Sequence, residues 1–504
     1  MLSKNYSAAI HGTEAVSVEI EVDSRQGLPG QTIVGLPDTA VRESRERVFS
    51  ALKNSGYDIP INKYLTINLA PADLKKAGTL YDLPIALGIL QSTSQLMVRK
   101  DERYLVAGEL GLDGYLKPIT GALLLAILAK EQNADYVMLP LVNAQEASLI
   151  EGVRIVAVET LVEAVERLTA TSPPAGYQRK KEQTLPTRYS IDFSEVRGQS
   201  YAKRALEIAA AGAHNLFMVG PPGCGKSMLA KRLMTILPEL TEEETIQVIK
   251  IYSVAGKMRE KLKALKHRPF RSPHHTVSYA ALIGGTSQAR PGEVSLAHEG
   301  VLYLDEIPEF SRQALEALRQ PMEDGVVRIS RAQWSFSYPA SFMLIASANP
   351  CPCGYATHPK IVCTCQPSRK RQYAQKFSGP LLDRFDLMVE LLPVTEEEIL
   401  GRSDAEPSEV IQKRVIDARF QQGRTSGRPN ATLSLTEMDR RCQLDSDCND
   451  LLTQAIRAYQ MSTRSVHKTL KVARTIADLG ASLLIKKEHV LEALHYRVKA
   501  FHDH

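Results

Sequence analysis

Three short apolar runs punctuate the middle of the chain, and each ends in polar residues. Asn215-Leu-Phe-Met-Val219 leads into glycines, Val301-Leu-Tyr-Leu304 into two carboxylates, and Phe342-Met-Leu-Ile-Ala-Ser-Ala348 into Asn349. Runs of this length predict buried strands, as in a parallel sheet. Towards the C-terminus the period changes. Leu451–Tyr459 and Leu470–Leu479 carry apolar side chains at three- and four-residue spacing, which predicts helices, with Gly480 as a stop signal. Val327–Arg331 and Trp334–Tyr338 alternate and predict a hairpin. The front of the chain predicts a hairpin around Asp113-Gly114, then a helix, then a buried strand over Ala134–Pro140. Its apolar stretch Ala122–Ala129 is too short to span a bilayer, which needs about 20 residues.

Composition sharpens this division. Residues 169–187 lack apolar periodicity and are rich in Pro, Ser, Thr and Lys, so they read as a flexible linker whose Arg179-Lys-Lys181 cluster is a solvated charge run. Residues 1–168 hold 16 basic and 21 acidic side chains, whereas the remainder holds 46 and 36. An acidic front and a basic remainder fit a nucleic-acid track along the second part, although a protein that binds anionic nucleotides also needs positive charge. At 504 residues the chain is long enough for about three domains. Seven cysteines, four of them clustered, argue against a disulfide framework; with no signal-like segment, the expected compartment is the cytoplasm and no membrane partner is expected.

The chemistry is concentrated after the first of the three strands. Gly220-Pro221-Pro222-Gly223-Cys224-Gly225-Lys226-Ser227, followed by Met228, fits the phosphate-cradling G-x-x-x-x-G-K-[ST] pattern in the strand–loop–helix setting that the pattern requires. The glycines let backbone N–H groups converge on phosphate oxygens. Lys226 is expected to reach the β- and γ-phosphates, and Ser227 to take a place on Mg²⁺. The bland alternative is a glycine-rich turn that binds nothing. Cys224 serves there as a small side chain. The expected ligand is ATP, with GTP as the alternative. Asp305 is placed to hold Mg²⁺ through water and Glu306 to polarise the attacking water. Asn349 suits the γ-phosphate or that water, and Arg384, in Leu381-Leu-Asp-Arg-Phe-Asp386, suits an arginine supplied across a subunit interface.

Taken in this order, the motifs resemble those of AAA+ ATPases of the magnesium-chelatase-like branch. Arg268–Thr276, Pro291–Val301 and Val472–Leu479 resemble the ComM/YifB proteins, and the resemblance runs from Tyr6 to about Tyr496. It implies a ring-forming, ATP-driven DNA motor, most readily a hexamer, that promotes branch migration of single-stranded or branched DNA in natural transformation and homologous recombination, with recombination proteins as possible partners. It also implies a lid arginine that senses the γ-phosphate: Arg474 is the first choice, with Arg464 and Lys471 as rivals. Ala107–Gly121 and Ala134–Pro140 resemble the peptidase domain of Lon proteases. Where that family's serine and lysine would fall stand Asp82 and Leu125, with Thr79, Lys75 and Lys76 nearby. Neither Asp82 nor Leu125 suits amide cleavage, so a non-proteolytic structural or DNA-contacting collar is expected. The expected architecture is an α+β Lon-peptidase-like domain over 1–168, the linker over 169–187, an α/β AAA+ core with parallel sheet, helix-2 insertion and cysteine cluster over 188–393, and a helical lid over 394–504.

Two further sets of residues carry candidate chemistry. Cys351, Cys353, Cys363 and Cys365 can close a tetrahedral site on a structural Zn²⁺, with His358 as a substitute ligand. Buried free thiols or a redox-sensing pair are the alternatives, and the Cys-x-Cys spacing is tighter than usual. For DNA, the candidates are Arg271, His274, His275 and Arg290 in a loop-like stretch, and Arg328 and Arg331 on the hairpin, which would neutralise phosphates with little sequence preference. Trp334 in the same hairpin and His274-His275 have the competing readings of core packing and intraloop hydrogen bonding. Two other classes remain: a chelatase-type motor subunit, and an AAA+ protein unfoldase or protease. DNA stimulation of ATP hydrolysis separates the first from a DNA motor, and peptide cleavage would reveal the second.

Overall fold

The computed structural model describes residues 1–98, 102–170, 172–179, 189–262, 264–285, 290–331, 334–376, 379–400 and 405–498. Residues 180–187 of the expected linker, with Lys180 and Lys181, lie outside the described residues, as do the side chains of Arg331 and Trp334. The chain divides into two compact units. One comprises Met1–Leu185, Ile246–Leu265 and Ala332–Ser337; the other comprises Pro186–Thr245, Lys266–Arg331 and Tyr338–His504.

The first unit is built on a mixed sheet. Its strands are β1 (Leu2–His11), β2 (Glu14–Gln26), β3 (Gly30–Val34), β4 (Lys63–Ala70), β5 (Tyr104–Val106), β8 (Tyr136–Pro140) and β9 (Arg154–Val158), in the order β3-β4-β2-β1-β5-β8-β9. β1 and β2 form a long antiparallel hairpin, whereas β1-β5-β8-β9 run parallel. Alternate residues of β1 and β2 are buried, as a sheet with one covered face requires. The covering helices are Asp82–Ser92 and Ala122–Glu131, apolar nearly all round and buried accordingly. The expected hairpin is present as β6 (Glu109–Leu110) and β7 (Leu116–Lys117), with Gly114 at φ +83° in its turn. Asp82 opens its helix fully buried and receives Arg47 through Nε (2.7 Å) and Nη2 (3.0 Å), with the backbone N–H of Leu110 at 3.2 Å. That carboxylate is an ion-pair partner inside the fold. Leu125 is equally buried.

Ile246–Leu265 belongs to this first unit although it lies between the phosphate-loop pattern and Asp305 in sequence. The reason is polar: the Ser253 hydroxyl donates to buried Glu146, and Ser253 O accepts from the N–H of Gly121 (3.2 Å).

The second unit holds a parallel sheet of β10 (Leu216–Val219), β11 (Phe270–Arg271), β12 (Gly300–Leu304), β15 (Phe342–Ala348) and β16 (Leu387–Glu390), ordered β11-β12-β15-β10-β16. β10 and β12 are buried along their whole length, as strands covered on both faces must be. The two alternating stretches are strands as predicted, β13 (Val326–Arg331) and β14 (Trp334–Pro339). Helices follow the sheet: Ser408–Ser426, Leu435–Arg441, Ser446–Tyr459, Thr463–Leu479 and Lys487–Val498. Several of their buried residues, Val415, Val472, Ile476 and Tyr496 among them, join the core that covers the sheet. Gly480 ends its helix, as expected, and Ser462 caps the start seven residues before the apolar period is evident. Among the described residues no helix is long and apolar enough to cross a membrane.

Candidate nucleotide site

β10 delivers the chain into Gly220–Gly225 at the carboxyl end of the sheet. Gly223 and Gly225 adopt φ +78° and +92°, which side-chain-bearing residues resist. At Gly220 an added Cβ would stand 2.7 Å from Leu391 O, so the loop lies flush against the chain leaving β16. A helix starts at Lys226. The Lys226 ammonium is buried and donates to Gly220 O (2.6 Å), Pro221 O (2.9 Å) and Asn349 Oδ1 (3.1 Å). Burial holds its pKa below the ordinary lysine value. Asn349 comes from the end of β15, the neighbour of β10 in the sheet.

β15 also neighbours β12, and this brings the carboxylates in. Ser227 Oγ donates to Asp305 Oδ2 at 2.7 Å. Ser347 Oγ donates to Asp305 Oδ1, and Tyr303 OH lies 3.3 Å from Ser227 Oγ and 3.2 Å from Ser347 Oγ. Burial alone would raise the Asp305 pKa. Hydrogen bonds from Ser347 and Ser227 outweigh it and hold the carboxyl below its usual range. Two hard oxygen ligands, one hydroxyl and one carboxylate, therefore sit together, a donor set suited to Mg²⁺. Glu306 follows with an exposed side chain and a backbone at φ +50°. Its N–H donates to Asp305 Oδ1 (3.1 Å). Sequence reasoning missed Tyr303 and Ser347: both lie in apolar strands, and only their alignment across parallel neighbours turns them towards the carboxylate.

Beside the loop lies a cavity of about 410 Å³ lined by Val196, Arg197, Gln199, Pro222–Gly225, Met228, His358, Pro393 and Val394. Gln199, in the left-handed region at φ +54°, ties the cavity wall together by donating to Leu392 O (2.6 Å) and Cys224 O (3.3 Å). Nothing in the local sequence pattern marks Gln199.

The expected arginines lie elsewhere. Arg384 is buried and pairs with Glu323 (2.7 Å). It lines a separate cavity of about 700 Å³ with Asn215, Phe342, Arg464, Lys468 and Lys471. Asn215 and Phe342 stand at the amino ends of β10 and β15, so this cavity occupies the sheet edge opposite the phosphate loop. Arg464 reaches the same Glu323 at 2.8 Å. Arg474 departs from the sensor expectation. Its buried guanidinium is held by Asp478 (Nε at 2.9 Å), Leu483 O (2.9 Å) and Ser482 O (2.5 Å), closing its own helix end.

The DNA candidates need similar revision. Arg271 is paired bidentately with Glu293 (2.5 and 2.8 Å), which opposes the phosphate role expected of it. Arg328 is exposed but pairs with Asp324 (3.1 Å). His274 Nδ1 lies 2.9 Å from Thr276 Oγ1, the intraloop alternative, and its ring lies 4.0 Å from that of His275. Arg290 is exposed.

The four cysteines converge as expected. Their Sγ atoms all lie within 4.8 Å of one another, with three pairs at 3.3 to 3.6 Å. Four thiolates about 2.3 Å from a tetrahedral Zn²⁺ would be separated by a little under 4 Å, so the cluster fits that ion. His358 is not among them. Its Nδ1 accepts the N–H groups of Lys360 (3.1 Å) and Ile361 (2.9 Å), and the residue lines the cavity beside the glycine loop instead.

Family models described as magnesium chelatase, subunit ChlI match residues 192–399, as subunit ChlI of Mg-chelatase residues 20–143, and as the ChlI C-terminal part residues 405–497. The chain is 41% identical over 498 residues to competence protein ComM of Haemophilus influenzae, covering 98% of this chain and 96% of that one. It is 40% identical over 506 residues to protein YifB of Escherichia coli, covering 98% and 97%. A magnesium-chelatase 67 kDa subunit of Chlorobaculum parvum is 30% identical over 164 residues, 32% of this chain and 23% of that one. With the phosphate loop, the carboxylate pair and the parallel sheet already in place, near-full-length identity of this size means that the chain belongs to the ComM/YifB family of magnesium-chelatase-like proteins.

Proposed function

We propose that the protein is an ATP hydrolase that assembles into a ring and couples hydrolysis to movement on single-stranded or branched DNA, in a competence-related role. The observation that carries the hydrolase part is the pair of contacts that flank the glycine loop, Lys226 on Asn349 and Ser227 on Asp305. In this reading the loop N–H groups and Lys226 hold the triphosphate, and Ser227 and Asp305 would hold Mg²⁺. Bound there, the ion would neutralise charge developing on the phosphates. Glu306, exposed beside them, takes the proton of the attacking water, and Asn349 orients that water or the γ-phosphate. Val196, Gln199, Met228 and Pro393 suit the base. Cys351, Cys353, Cys363 and Cys365 would hold a structural Zn²⁺.

Arg384 is read as the residue that completes a neighbouring subunit's site, because its cavity opens at the sheet edge away from its own phosphate loop. Arg464 shares Glu323 with it, so Arg464 replaces Arg474 as the lid arginine and acts beside Arg384. The name of the Haemophilus influenzae relative supports the competence assignment. Commitment of Asp82 to Arg47 supports a non-proteolytic first unit. DNA contact rests chiefly on Arg290 and on the basic excess outside residues 1–168.

The test is the steady-state ATP hydrolysis rate with and without single-stranded and branched DNA, with Glu306→Gln as the blank. A DNA-dependent rise that disappears in the variant and weakens as salt increases is expected. A flat response at low salt, with hydrolysis intact, rejects the DNA motor and favours a chelatase-type or unfoldase motor.

A further inference from the structure

The cysteine cluster does more than stand near the nucleotide site: its loop reaches that site at three places. Cys351 follows Asn349 by two residues, and Asn349 holds Lys226 (3.1 Å). Gly354, buried at φ +86°, lies so close to Pro222 that an added Cβ would stand 2.5 Å from its Cδ. His358, midway between the two cysteine pairs, lines the 410 Å³ cavity with Pro222–Gly225. Because its Nδ1 accepts two backbone N–H groups, Nε2 is the nitrogen that carries the proton in the neutral ring. A loop without regular secondary structure between Cys351 and Cys365 thus places a residue whose Nε2–H is a hydrogen-bond donor at the wall of the cavity. Its own shape depends on whether the four sulfurs are tied together.

We propose that the metal-bound cysteine loop is part of the nucleotide pocket, with His358 as its nucleotide-contacting residue, so that zinc and adenine nucleotide bind with positive coupling. This rests on the reading of Gly220–Ser227 as a nucleotide site. Coupling between two sites is reciprocal: if zinc organises the loop for nucleotide, bound nucleotide must hold zinc more firmly by the same factor.

The full-length protein carries one Zn²⁺ per chain, measured as metal content. Its Zn²⁺ affinity, read from equilibrium competition with a chromogenic chelator, rises about tenfold when Mg²⁺–ADP saturates the protein, a size typical of coupling between sites. Metal-stripped protein binds a fluorescent ADP analogue more weakly by the same factor. His358→Ala keeps its zinc, loses the ADP-dependent gain in zinc affinity and binds the analogue more weakly; His358→Gln, which restores an N–H donor, recovers both. Zinc affinity indifferent to ADP, His358→Ala coupled like the parent, or a protein that carries no zinc overturns the proposal. If zinc-loaded protein fails to bind the ADP analogue at all, the nucleotide-site reading falls as well. If it binds ADP normally and only the coupling is absent, the nucleotide site stands and this inference alone falls.

Discussion

Glu306 stands at φ +50°, a conformation that costs a non-glycine residue free energy and persists only where surrounding contacts impose it. Here the imposing contacts are its own N–H bonds to Asp305 and to Ser347 Oγ. They leave the Glu306 carboxylate exposed while Asp305 stays anchored. Glu306→Gln keeps that geometry and removes the proposed base, so hydrolysis should fall by roughly 10²–10⁴-fold while ATP affinity is retained. Parallel single-turnover and equilibrium-binding measurements check this; an equal loss of binding would reassign Glu306 to holding the nucleotide. His298 gives a second test. It is buried, its Nδ1 accepts from the N–H of Ser341, and burial pushes its pKa down from 6.5 to about 4. Below pH 6.5 the unfolded chain takes up a proton that the folded one refuses, so stability falls as pH drops towards 4, by up to about 3 kcal/mol. Burial raises the carboxyls of Asp82 and Glu299 to about 6 and about 7, which acts in the opposite sense, so the test is the difference between the protein and His298→Asn: from pH 7 to 4 the parent's denaturant midpoint should fall relative to the variant's.

Helix Thr463–Leu479 shows how an element redefines its residues. Its two arginines look alike in sequence, yet one lies near the N-terminal end and pairs with Glu323, while the other is folded into the C-terminal end. Arg474→Met takes one partner from Asp478, which keeps Asn430 (2.7 Å) and Arg441 (3.6 Å), and strips the Ser482 and Leu483 carbonyls of their donor, so it should cost about 1–3 kcal/mol. A lowered melting temperature with unchanged ATP affinity is expected; the reverse pattern would restore Arg474 as the γ-phosphate sensor. The cysteine loop behaves in the same way. Spacing identified four thiols, but it takes tertiary contacts, such as the packing of Gly354 on Pro222, to connect them to the glycine loop.

The two ends of the parallel sheet carry different halves of the proposed chemistry. The carboxyl end holds Lys226, Asp305 and Glu306, and the amino end holds Arg384, Arg464, Lys468 and Lys471. If a neighbouring subunit joins these halves, two inactive variants should complement. Lys226→Ala and Arg384→Ala proteins, each inactive alone, should recover part of the hydrolysis rate when mixed, because some interfaces then contain an intact Lys226 and an intact Arg384. No recovery in mixtures shown by light scattering to co-assemble would place Arg384 outside the trans site.

The sequence by itself determined the glycine loop after the first strand, the carboxylate pair, the three central strands and the convergence of four cysteines. Those features depend on local pattern: glycines that permit left-handed backbone, apolar runs that must be buried, and thiols separated by few residues. Tertiary structure alone decided the rest. Tyr303 and Ser347 meet Asp305 because parallel strands set their register, and Ile246–Leu265 groups with the first unit because Ser253 satisfies buried Glu146. Arg271 read as an available cation until the fold supplied Glu293, whereas Arg474 and Asp478 stand four residues apart on one predicted helix, a pairing that spacing already allowed. Where the partner lies far along the chain, as Glu293 does from Arg271, it is chosen by distances across the folded chain, and spacing along the sequence does not encode them.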